Sequence, residues 1–366
     1  MKQRNFWMRN AALLLTLAAM SLLAVPAKAA GPTRVVTDMV GRRLTVPVNV
    51  HRVLGMSPMG TILVYTIDPT ALIGWNHEIT PGERALLVNS ARNLPVVGGW
   101  FGKDNTGNIE KIMAAHPDVL ISMGDPMGEA QAERVQAQTH IPVYVIKGGF
   151  GNLPEAYRRA GELLHREQRA NMLAADVQHT IDEIKQKVSR IPQQQRRRYY
   201  YAEGPKGLET EPGGTMHVES LDFAGGMNVA AGVAEQKGYG HSPVSLEQIL
   251  GWNPDIIITG YDHTSWPGEF YSSVWKDSRW QPVKAVRNHA VFETPQYPFC
   301  WIDRPPSANR IIGIKWLANL FYPELFHYDM RRETRDFYEK FYQVKLTEQQ
   351  LNDILAYAVP RPGAKR

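Results

Sequence analysis

Two segments of this 366-residue chain, "NIEKIMAAHPDVLIS" (108–122) and "SLEQILGWNPDIIIT" (245–259), align without a gap. Each places glutamate third, isoleucine fifth and Pro-Asp tenth and eleventh, then runs into apolar residues. Each reads as a short helix, an X-Pro stop and a buried strand. The residue before a proline is driven out of the α region, so His116 and Asn253 are expected to end their helices. Ile109, Ile112 and Met113 make one apolar helical face, and Leu246, Ile249 and Leu250 make the other. A chain that builds one strand–helix unit in both halves is expected to fold as two lobes of the same α/β type.

The runs around these units agree. "RVLGM" (52–56), "ALIGW" (71–75), "DVLIS" (118–122), "VYVIK" (143–147), "RYYYA" (198–202), "DIIIT" (255–259) and "AVFET" (290–294) lack polar alternation. That pattern marks strands covered on both faces, as in parallel sheets. "RVVTDMVGRRLTVP" reads as a hairpin turning at Gly41. Between the halves, Leu173, Val177, Ile181, Ile184 and Val188 fall on one face of an uninterrupted helix over 166–191. The chain closes in helices over 311–326 and 334–343. The expected fold is α/β: two Rossmann-like lobes with parallel sheets, joined by one long α-helix, with a ligand cleft between them. The divisions are a signal peptide at 1–29, a first lobe at 30–151, a helical segment with the connector at 152–192, and a second lobe at 193–366.

The leader shapes the charge. Residues 1–29 hold Lys2, Arg4, Arg9 and Lys28, no acid, a short apolar run and Ala27-Lys28-Ala29, the pattern of a secretory signal cleaved after Ala29. Without it the net charge falls from +5 to +1, which removes the case for a nucleic-acid partner. The expected location is the periplasm. The one cysteine, Cys300, admits no internal disulfide and reads as a buried structural thiol.

The order of these blocks resembles the periplasmic substrate-binding component of iron–siderophore and cobalamin ABC importers, the class with a rigid helical hinge. The resemblance runs from "VVTDMVGRRLTVP" through "VGGW…NIEKI…HPDVLIS", the connector and "LDFAGGMNVA" to "SLEQIL…NPDIIIT". It implies that Glu110 and Glu247 meet arginines on the two membrane subunits. Read without it, an acid in the first turn of a helix is also favoured by the helix dipole. It further implies that Trp100, in "GGWFG", packs against ligand.

In parallel α/β sheets, ligands lie beyond the carboxyl ends of the strands. The loops there are "GMSPMG", "MGDPMG", "GGFG", "GYDHTSWPGEF" and "PQYPFCWIDRPP". From them and their surroundings the candidate ligand contacts are Trp100, Lys103, Tyr239, His241, Tyr261, Trp301 and Arg304, with His263 and Trp266 as further walls. Arg304, in "WIDRPPSANR", has a fork of donors for a carboxylate, catecholate or hydroxamate, or else pairs with Asp303. His217 reads as a cap or packing residue. No H-E-x-x-H or other tight metal spacing occurs, so neither a bare metal ion nor a resident cofactor is expected. The expected function is capture of a metal chelate, a ferric siderophore first, by a monomer that delivers it to ABC transporter membrane subunits. Cobalamin, haem and an oxyanion such as molybdate are the alternatives within the class. An exported enzyme using the same cleft is the alternative outside it, and the loops contain no nucleophile–base motif to support one.

Overall fold

The structure is a computed structural model that describes residues 31–101, 107–124, 126–235, 241–260 and 268–360. The hairpin forms as its sequence implies: β1 (Thr33–Thr37) pairs antiparallel with β2 (Arg43–Pro47), and Gly41 takes φ +87° in the turn. β3 (Val53–Gly55) leads into α1 (Pro58–Ile67). The first copy of the repeated unit follows as α2 (Ile109–Ala114) and β4 (Val119–Met123). Then come α3 (Pro126–Thr139), β5 (Val143–Ile146) and α4 (Leu153–Leu164). β3, β4 and β5 form a parallel sheet in that order.

The run 71–75 forms no strand. It makes only isolated parallel bridges, Leu72 with Val53 and Trp75 with Val96. Its ladder is split between two partners, so the apolar run is buried without becoming continuous sheet. The Val53–Leu72 bridge nonetheless lies on the edge of β3 opposite β4.

The connector α5 (Glu167–Val188) spans 22 residues, roughly 33 Å at 1.5 Å per residue. Leu173, Val177, Ile181, Ile184 and Val188 are all buried on its inner face. Gly161 of α4 lets the connector come close: a Cβ there would sit 2.3 Å from the Ala170 Cβ.

In the second lobe, β6 (Arg198–Ala202), β7 (Glu209–Thr210), α6 (Glu219–Phe223), β8 (Met227–Asn228) and β9 (Ser242–Pro243) precede the second copy of the unit, α7 (Leu246–Trp252) and β10 (Ile256–Thr259). After α8 (Glu269–Val274) and β11 (Val291–Glu293), the parallel sheet has the order β11-β10-β6-β8. His116 and Asn253 both end their helices in the left-handed region, at φ 46° and 45°.

The last helices, α9 (Arg310–Phe321), α10 (Met330–Phe337) and α11 (Glu348–Leu355), do not belong to the second lobe alone. α9 packs on the connector. The π-helical turn Tyr338–Tyr342 reaches the first lobe, where the Tyr65 hydroxyl donates to the Tyr342 carbonyl at 3.1 Å. Arg169 of the connector ties the two together, donating to the carbonyls of Thr66 and Lys340, each at 2.9 Å. One apolar core therefore runs from Val53 through Leu173 and Val177 to Tyr199, Ile258 and Phe341. Among the described residues no helix is long and apolar enough to cross a membrane.

Overpacking a close helix contact costs about 1–3 kcal/mol. Gly161→Ala is therefore expected to lower unfolding free energy by that amount in urea denaturation, and an unchanged midpoint would show that the connector is not seated as described.

Candidate functional site

The carboxyl edge of the first lobe's sheet faces a cavity of about 260 Å³ whose opposite wall comes from loops and helix starts of the second lobe. The first lobe contributes Met59 and Leu63 from α1, Met123 and Gly124 at the end of β4, and the stretch from Ile146, which ends β5, to Phe150. The second lobe contributes Met216, Glu219, Pro306, Ser307, Ala308 and Arg310. The walls are mainly thioether and aliphatic, with three charged side chains: Lys147, Glu219 and Arg310.

A clasp between the lobes closes one side. The Phe150 ring stacks on Phe223 with centroids 4.6 Å apart, and the Arg310 guanidinium lies 4.5 Å from the Phe150 centroid. Arg310 donates to Glu219 Oε2 at 2.6 Å and to Ser220 Oγ at 3.0 Å. Glu219 Oε1 accepts from the Phe150 amide at 3.4 Å. A second crossing is made by Phe299, 6.0 Å from Trp75 and edge-on to His77.

Of the two roles expected of Arg304, the structure shows the pairing with Asp303 and extends it. The Arg304 fork donates to Glu203 Oε1 at 2.5 Å, to Glu211 Oε1 at 2.6 Å and to Asp303 Oδ2, and all three carboxylates are buried. His217 Nδ1 bonds to Asp303 Oδ1, so this histidine orients the hub. Burial pushes the Glu203 carboxyl well above the usual range; Arg304 opposes the shift, and Glu211 and Asp303 add to it. Asp303 is also raised by burial, but Arg304 and His217 overcome this and hold it below the usual range. Three carboxylates around one guanidinium leave no net positive charge for an anionic ligand. Arg304 is the ionic centre of the second lobe's wall, and an anion would have to displace its own protein partners.

The other expected contacts separate. Trp301 is fully buried, with its indole N–H donating to the Tyr338 hydroxyl at 3.3 Å and its ring edge-on to Trp316. Its place is the core and not the cleft, because 299–302 runs inward beneath the final helices. Trp100 is half-buried and outside the cavity lining. Its amide donates to the Met56 carbonyl at 2.7 Å, and its ring packs against the first lobe's cluster of Leu54, Val97 and Ile112, so close to Gly107 that a Cβ there would sit 2.2 Å away. His241 Nδ1 bonds Glu209 Oε2 at 2.9 Å and lies 4.0 Å from Glu203 Oε2, beside the Arg304 hub. Lys103, Tyr239, Tyr261, His263 and Trp266 lie outside the described residues. Among the described residues no group of three His, Cys, Asp or Glu side chains could hold a metal ion. Cys300 is buried, and burial pushes its thiol up to about 11.

Glu110 and Glu247 occupy the second position of α2 and α7, and both are exposed. Asn108 and Ser245 cap these helices by accepting from Lys111 N and Gln248 N. The Glu247 carboxyl is held below its ordinary range by its own backbone amide and the Ser245 side chain. Each helix leads straight into a parallel strand and packs against that sheet. Its N-terminus therefore stands at the strands' carboxyl edge.

Sequence reasoning missed Glu203, Glu211, Lys147, Glu219 and Arg310. Lys147 adjoins the selected loop 148–151 and Arg310 ends "WIDRPPSANR", but Glu203, Glu211 and Glu219 lie outside every selected loop, and they pair with Arg304, Arg304 and Arg310 across 101, 93 and 91 positions.

This architecture, two parallel-sheet lobes fixed by one helix with a cavity between them, defines a two-lobed solute-binding protein. The chain belongs to the periplasmic binding protein family, whose model matches residues 92–298, and it is of the class that serves ABC importers. It is similar to an ABC transporter solute-binding protein from Sulfurospirillum deleyianum, at 34% identity and a TM-score of 0.81, over 88% of this chain and 99% of that one. It is also similar to the molybdate-binding protein MolA of Haemophilus influenzae, at 24% identity over 340 residues, 85% of this chain and 91% of MolA. The molybdate-bound structure of MolA shares the fold at a TM-score of 0.65 and 22% identity, over 86% of this chain and 99% of that one. The family and these relatives are solute-binding proteins and not enzymes.

Removing one partner of a buried ionic cluster costs about 3–5 kcal/mol. Arg304→Met is expected to lose that much stability at neutral pH in urea denaturation, and a loss under about 1 kcal/mol would contradict the hub.

Proposed function

We propose that this binding protein captures a compact anionic metal species, an oxyanion or a small chelate, and hands it to its ABC importer through Glu110 and Glu247. The observation that carries the reading is the cavity itself. Pockets for drug-sized ligands run to roughly 300–1,000 Å³, and this one holds about 260 Å³ between lobes already clasped at Phe150. A bulky ferric siderophore, the first expectation from sequence, needs more room. It also loses the cation assigned to it, since Arg304 is held by Glu203, Glu211 and Asp303. Lys147 supplies positive charge from the first lobe. The likeness to MolA, named as a molybdate-binding protein, points the same way.

Delivery rests on the two glutamates. They stand at equivalent exposed places on a pseudo-two-fold pair of lobes, which suits a transporter whose two membrane subunits present basic side chains.

Two measurements test this. Calorimetric titration is expected to show binding of molybdate or tungstate and none of a bulky ferric siderophore; the reverse result would refute the compact-cargo reading. Glu110→Ala combined with Glu247→Ala is expected to leave that binding intact and abolish uptake in cells, and uptake at the wild-type rate would refute the docking role.

A further inference from the structure

Behind the second lobe's side of the cavity stands the Arg304 hub. We propose that this hub is a pH-sensitive latch: in the folded protein Glu203 carries a proton on Oε2, and loss of that proton in an alkaline medium destabilises the second lobe's wall.

The balance of charges calls for a proton. Arg304 brings one positive charge to three buried carboxylates, Glu203, Glu211 and Asp303. Its Nη1 serves two of them, Glu203 at 2.5 Å and Asp303, so those two carboxylates are held side by side. Carboxylates that share one buried site do not all ionise.

The distribution of donors selects Glu203. Asp303 Oδ2 accepts from Arg304 and from the Tyr201 hydroxyl at 3.4 Å, and Asp303 Oδ1 meets His217 Nδ1. Glu211 Oε1 accepts from Arg304 at 2.6 Å, and Glu211 Oε2 accepts from the Thr215 hydroxyl at 3.5 Å. Glu203 Oε1 accepts from Arg304, but Glu203 Oε2 is buried with no hydrogen-bond partner among the described residues. A proton on that oxygen removes a buried charge that nothing pairs.

The surrounding elements agree. Glu203 exchanges both backbone hydrogen bonds with Glu209 of β7, which adds a fourth carboxylate. His241, just before β9, bonds Glu209 Oε2 at 2.9 Å and stays 4.0 Å from Glu203 Oε2. Tyr200 of β6 donates to the carbonyls of Gly207 and Glu209. Arg310 of α9 and the Cys300 thiol face Asp303. Burial pushes the Glu203 carboxyl well above its ordinary range; Arg304 opposes this, and Glu211 and Asp303 reinforce it. The hub adjoins the cavity along the chain, since Met216 precedes His217, Pro306 follows Arg304 by two residues, and both line the cavity.

The sign of the pH dependence follows. The folded protein holds a proton that the unfolded chain releases above the ordinary carboxylate range. Stability from this group is full below that range and falls as pH rises towards the folded-state value, by about tenfold in the folding equilibrium constant per pH unit.

Urea denaturation of wild type and Glu203→Gln tests the latch. The glutamine amide has the shape of the neutral acid and no proton to lose. The ratio of folding equilibrium constants, variant over wild type, is expected to rise about tenfold per pH unit between about pH 6 and 8. Glu293, which burial raises to about 7, is common to both proteins and cancels in the ratio. A ratio independent of pH overturns the proposal. So does the same rise in Glu211→Gln and not in Glu203→Gln, which would put the proton on the other carboxylate. Infrared spectroscopy of Glu293→Gln keeps the test open where Glu203→Gln does not fold. At about pH 8, where ordinary carboxyls are ionised, the folded protein is expected to show the carbonyl stretch of a protonated carboxyl and to lose it on unfolding. A folded protein without that band overturns the latch.

Discussion

The distance between the two sheets is set by one helix whose inner face is buried along its length. α5 carries Leu173, Val177, Ile181 and Ile184 into a core shared with both lobes. The final helices then fold back over it, and the Tyr338–Tyr342 turn docks on α1 through Tyr65. Arg169 joins the three parts by bonding one carbonyl on each side. A two-strand hinge lets lobes swing apart. A packed helix shared by both cores resists that motion, because interiors are dense and respond in discrete steps. Cavity size is then a property of the fold, and it becomes a criterion for cargo.

Electrostatics divide the cleft unequally. The second lobe keeps its ionic groups to itself: Arg304 serves Glu203, Glu211 and Asp303, and Arg310 serves Glu219. The first lobe presents Lys147, which has no carboxylate partner among the described residues. A cationic group read from a loop is a poor guide to ligand charge until its protein partners are known. Buried ion pairs of this kind are costly to desolvate, and their value lies in fixing the wall's geometry.

Local rules carried much of the fold in the sequence. The repeated unit was legible because its signals are contiguous: a capped first turn, an apolar face, and His116-Pro117 or Asn253-Pro254 as the stop. The connector was legible from its spacing, with its observed ends at Glu167 and Val188 inside the expected 166–191. What failed was long-range. Nothing near Arg304 in sequence announces Glu203 or Glu211, which lie 101 and 93 residues away. Trp301 sits in a proline-rich loop that reads as surface, yet the final helices cover it. Residues 71–75 have the composition of a strand, but their pairing is split between Val53 and Val96.

The claim on which the account turns is that the lobes are held at a fixed separation. It is tested by the distance between spin labels at Lys111→Cys and Gln248→Cys, exposed sites on α2 and α7, with buried Cys300 left unlabelled. A single narrow distance distribution, the same with and without molybdate, is the predicted result. A broad or two-peaked distribution that collapses on adding molybdate would contradict it, and the cavity would then say little about the cargo.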